Sequence, residues 1–108
     1  MVEDAIAALE MAARSARQRF DAASMLGRLH LEQQRLPKAV EWFERAAEAP
    51  APTPDAGRAL LYDLASTLEA AGERSRALAV FVELEAESGG YRDVGRRIDA
   101  LSKVQARG

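Results

Sequence analysis

The chain offers few groups from which a reaction could be assembled. His30 is its one histidine, and it has no cysteine. A structural zinc site needs about four nitrogen or sulfur ligands, so this composition argues against one. A catalytic histidine needs a nucleophile or second base held nearby, and the sequence shows none around His30. Gly89-Gly90 lacks both a preceding strand and a following Lys-Ser/Thr, so it reads as a helix stop and not as a phosphate loop. Glu83, Glu85 and Glu87 read as a solvated helical face. Arg92, Arg96, Arg97, Lys103 and Arg107 outnumber Asp93 and Asp99 near the C-terminus; the excess reads as a solubilising terminus first, and as a basic wall that recruits an acidic partner second. No catalytic residue, metal ligand or cofactor is expected.

These groups must be carried by helices. Ala, Leu, Arg and Glu dominate while β-branched residues and aromatics are scarce. The 108 residues carry a formal charge of −2, which excludes a global basic footprint for nucleic acid. No apolar run approaches a membrane span, and the acidic opening Met1-Val2-Glu3-Asp4 is unlike a secretory leader. A soluble, cytoplasmic chain without nucleic-acid or membrane partners is expected.

Apolar residues at steps of three and four define six helices. The first carries Val2, Ile6, Leu9 and Ala13. No Gly or Pro occurs before Met25, so one long rod to residue 34 competes with a break; the shift of the stripe to Met25, Leu26 and Leu29 favours a break at residues 16–18. A second helix over 19–34 follows, then a third over 37–48 with Pro37 in its first turn. Here Glu41 and Arg45 form an i,i+4 pair, and Trp42 flanks core Phe43 as a partly buried residue or an exposed anchor. The proline-rich connector Ala49-Pro50-Ala51-Pro52 leads to Thr53-Pro54-Asp55, the cap and first turn of a fourth helix ending before Gly72. A fifth spans 75–88, and a sixth over 91–105 aligns Tyr91, Val94, Ile98, Leu101 and Val104.

Three segments repeat. Ala5, Leu9 and Ala12 precede Ala39, Phe43 and Ala46 by 34 residues, and Ala77, Phe81 and Leu84 follow 38 later, the excess falling in the proline loop. Leu26, Gly27 and His30 correspond in the same way to Leu64, Ala65 and Leu68. Small Gly27 or Ala65 permits close approach where Ala39 or Ala77 faces it, and Phe43 or Phe81 is expected to fill the space between neighbouring pairs.

This pattern resembles the tetratricopeptide repeat, a helix–turn–helix unit of about 34 residues. It departs from the family at Ala23 and Leu61, where Trp is common, and at His30 and Leu68, where Tyr is common. The resemblance implies an all-α solenoid of antiparallel helix pairs forming a single domain over residues 1–108. Its parts are an N-terminal helix (1–18), two repeats (19–50 and 53–88) and a C-terminal capping helix (90–106).

The resemblance further implies a non-enzymatic scaffold or adaptor that binds a protein or peptide in a concave groove. Groove positions carried over are Asp21, Ser24, Arg28, Leu31, Glu32, Tyr62, Ser66 and Glu69, with Arg96 and Lys103 if the last helix continues the stack. Arg28 and Tyr62 are the expected anchors. The chaperone-tail clamp of some family members, rich in Lys and Asn, is not reproduced. The alternative is a self-association module whose unpaired first helix exposes Ile6 and Leu9.

Overall fold

A computed structural model describes the backbone of residues 1–107 and side chains through Val104. Arg107 is placed as backbone only; its side chain, part of the expected basic surface, lies outside the described residues. All regular elements are helices: α1 (Val2–Ala12), α2 (Arg19–Glu32), α3 (Leu36–Glu48), α4 (Pro54–Ala70), α5 (Arg74–Ser88) and α6 (Val94–Arg107). No described helix is long and apolar enough to cross a membrane. The chain divides into two compact units, Met1–Leu60 and Leu61–Gly108.

In the first unit α1 packs on α2, and α2 on α3. α1 leaves the helical path at Ala13, three residues before the expected break. The reason is a side chain from beyond the turn. Arg19 Nε donates to Ala13 O at 3.0 Å and Nη2 to Arg14 O at 3.2 Å, satisfying carbonyls that a helix end would otherwise leave unpaired. α2 ends in a Schellman motif: Arg35 N–H bonds to His30 O (2.8 Å) and Gln34 N–H to Leu31 O (3.0 Å). Gln34 takes the left-handed conformation (φ 61°) that this motif requires. The short turn then returns the chain as α3 against α2.

Ala39, Phe43, Ala46, Ala23 and Leu26 have no solvent exposure. A Cβ added at Gly27 would fall inside the envelope of the Phe43 ring, so only glycine allows this approach. Phe43 therefore fills space within its own pair, beside Gly27. Trp42 is buried, with the Arg45 guanidinium 4.4 Å above its ring. Arg45 also reaches Glu41 at 3.1 Å, as the i,i+4 spacing predicts. Thr53 caps α4 through its hydroxyl, which accepts from Ala56 N–H at 3.1 Å.

In the second unit, Gly72 (φ 84°) closes α4 with the same motif that Gln34 supplies to α2: Glu73 N–H bonds to Leu68 O and Gly72 N–H to Glu69 O. Ala65, Ala77, Phe81 and Leu84 are fully buried. Burying each Leu or Phe of this kind contributes roughly 1.5–3 kcal/mol. Gly90 (φ 86°) follows α5, and α6 packs on α5. α6 starts at Val94 and not at Tyr91, because Arg92 adopts φ 45° and interrupts the helical path. Its buried stripe is Val94 and Leu101, while Val104 is exposed.

Candidate functional site

Of the groove positions on α2, Asp21, Arg28 and Glu32 are exposed, Leu31 is half-buried, and Ser24 is buried with its hydroxyl unpartnered in the protein. Arg28 stands on the wall of an apolar trough between α1 and α2. Ala5, Ala8 and Leu9 line one side, and Met25, Arg28 and Leu29 the other, around about 490 Å³. Its exposure follows from the short side chains on α1, which leave Met25 half uncovered. Ile6, expected at the open edge, is buried, because α1 seats that side chain in the first unit's core. Leu9 remains half-exposed.

A second cleft of about 580 Å³ is lined by Glu10, Arg14, Arg19, Trp42, Arg45 and Glu48. Its charges are mixed, and two of its cations already have work. Arg19 holds the end of α1, and Arg45 covers Trp42. His30 is buried, and neither ring nitrogen has a partner in the protein. Burial, reinforced by the nearby positive charges of Arg35 and Lys38, lowers its pKa. Burial thus favours the neutral imidazole in a core position.

In the second unit, Tyr62 and Glu69 are gathered by α6. Tyr62 donates to Asp93 Oδ1 at 2.5 Å; Arg97 donates to Tyr62 Oη at 3.1 Å and to Glu69 Oε1 at 2.6 Å. Tyr62 also meets Phe81 edge-on at 6.0 Å, and the Arg92 guanidinium lies over both Tyr62 (4.8 Å) and Tyr91 (5.0 Å). The hydrogen bond to Asp93 raises the Tyr62 pKa, and the same bond lowers that of Asp93. This is a charge-assisted network that fixes α6, with donors and acceptors satisfied among themselves.

Ser66 is half-exposed with its hydroxyl oxygen buried and unpartnered, whereas Arg96 and Lys103 are exposed on α6. Asp93, Tyr91 and Arg97 were not identified as the partners of Tyr62 and Glu69. Asp93 and Arg97 do stand four apart in the sequence, but nothing local links them to residues 28 or more positions away. No group of three or more His, Cys, Asp or Glu that could hold a metal occurs among the described residues. No protein family, curated protein or solved structure matches the chain.

Proposed function

We propose that the chain is a tetratricopeptide-like interaction module: a solenoid of antiparallel helix pairs, without enzymatic activity, that binds a protein or peptide through exposed side chains of its first-in-pair helices. The observation that supports it is the repeated construction of the pairs. Gly27 and Ala65, Ala39 and Ala77, Phe43 and Phe81 recur at the same spacing and are all buried. Such spending of core residues on a repeated unit leaves the outer faces free to vary, which is the logic of a repeat scaffold. On this reading Arg28, Leu31 and Glu32 contact the partner, and Arg96 and Lys103 attract it by charge. Tyr62 and Glu69 reach a partner only through the network they make with Asp93 and Arg97.

The test uses a displayed library of random peptides, selected on the intact chain and rescored on a triple variant, Arg28→Glu, Glu32→Lys and Lys103→Glu. These residues are exposed, so circular dichroism should be unchanged. Selected peptides should bind the variant at least about tenfold more weakly. Equal binding to both proteins, or no enrichment, refutes the reading.

A further inference from the structure

Tyr62 and Glu69 stand two turns apart on α4, and α6 answers each with a complementary group. Asp93 accepts from Tyr62 Oη at 2.5 Å. Arg97 donates to Glu69 Oε1 from Nη2 at 2.6 Å and Nε at 3.1 Å, and from Nη1 to Tyr62 Oη at 3.1 Å. This polar lock holds a helix whose apolar grip is small. Among the described residues of α6 only Val94 and Leu101 are buried, against Ala39, Val40, Trp42, Phe43 and Ala46 of α3. The locking charges are also wet, with side-chain exposures of 27% for Arg97 and 34% for Glu69. Water can therefore replace each bond as the helix lifts. The connection into α6 adds strain, since Arg92 is held at φ 45° and lifting α6 frees it to relax.

We infer that α6 is a detachable strap over a recognition face of α4, and that a partner helix carrying a carboxylate and a guanidinium one turn apart takes its place. The inference rests on the interaction-module reading above and supplies regulation for the second-unit end of its groove. With the strap closed, Tyr62 and Glu69 are engaged by α6. With it open, they present a hydroxyl donor and a carboxylate acceptor on one side of α4. The partner's chemistry follows from what α6 already places there, Asp93 and Arg97 four residues apart, with the apolar Val94 between them. A wholly acidic peptide would set like charge against Glu69, and a wholly basic one would leave the Tyr62 hydroxyl without an acceptor. The face thus selects a mixed pair, unlike the exposed Arg96 and Lys103, which attract acid alone.

The test probe is a labelled synthetic peptide of residues 90–104, titrated against the full chain by fluorescence anisotropy. The protein variant Arg97→Met keeps the α4 face intact and weakens its own strap. Saturable binding to this variant is expected, at least about tenfold tighter than to the wild-type chain. A peptide carrying both Asp93→Asn and Arg97→Met should bind the same variant at least about tenfold more weakly, as should the wild-type peptide when Glu69→Lys is added to the protein. Circular dichroism checks that each variant is folded. Should Arg97→Met lose helicity, Asp93→Asn in the protein loosens the strap through the Tyr62 bond alone and is titrated instead. No saturable binding to the loosened chain, equal binding to loosened and wild-type chains, or indifference to the peptide substitutions each overturns the inference. The probe requires no natural partner, so these results stand whether or not the displayed library yields binders, and failure of one reading is distinguishable from failure of the other.

Discussion

The two helix pairs share a plan and differ in the residues that execute it. At matched positions the first has Ser24, Gly27, His30 and Gln34, whereas the second has Tyr62, Ala65, Leu68 and Gly72. The second pair uses the residue suited to each place: leucine in the core and glycine at the left-handed turn position. The first substitutes an imidazole with neither nitrogen partnered in the protein and a glutamine at φ 61°. Only at Gly27, pressed against Phe43, does the first pair hold the more specialised residue. The same framework thus tolerates local choices that oppose stability, provided the fully buried Ala39–Phe43 face is kept.

The largest test of that comparison lies at Phe43. Phe43→Ala should cost about 3–5 kcal/mol in urea denaturation. Gly27→Ala alone should cost about 1–3 kcal/mol by overpacking. In the Phe43→Ala background the sign should reverse, because alanine is the better helix former by about 1 kcal/mol. An unchanged sign would mean that the ring is not what excludes a side chain at Gly27.

Next comes His30→Leu, which copies Leu68 into the first pair and should stabilise by about 1–3 kcal/mol by removing an unpartnered buried polar group. Because the folded-state pKa of His30 lies below the ordinary 6.5, the unfolded chain takes up its proton first on acidification. Wild-type stability should therefore fall as pH drops below about 6.5, and the gap to His30→Leu should widen. A gap that stays constant between neutral and mildly acidic pH would show that the ring titrates alike in both states.

Arg97→Met removes the bonds to Tyr62 and Glu69 that have no counterpart around Ser24. Amide exchange in α6 should accelerate by about tenfold, reporting local opening. The smallest effect is expected at the turn. Gln34→Gly should gain about 1 kcal/mol by relieving a left-handed non-glycine residue, while Gly72→Gln should lose a similar amount.

Much of the fold could be read from the letters because its signals are local. Thr53-Pro54-Asp55 caps α4 as expected, Gly72 and Gly90 stand at turns, and the repeat places Ala39 and Ala77 in the core. The end of α1 was misplaced because Arg19, not a glycine or proline, takes up its carbonyls from six residues away. The start of α6 was misplaced because a left-handed arginine carries no compositional mark. The candidate site was less legible still. Tyr62 has the residue type of a binding anchor, yet its hydroxyl is engaged by Asp93 and Arg97, 31 and 35 positions along the chain. The trough was obscured for the opposite reason: alanines on α1 look like core until their exposure is compared with their counterparts on α3.

Trp42, the chain's single tryptophan, lies buried in the first unit beneath Arg45. Its emission therefore reports on the unit that holds it, while far-ultraviolet ellipticity sums helices from both units. Superimposed melting curves from the two signals would mark one cooperative transition, and separated midpoints would mark two. The protein thus carries a built-in optical label for dissecting its own unfolding without added dye.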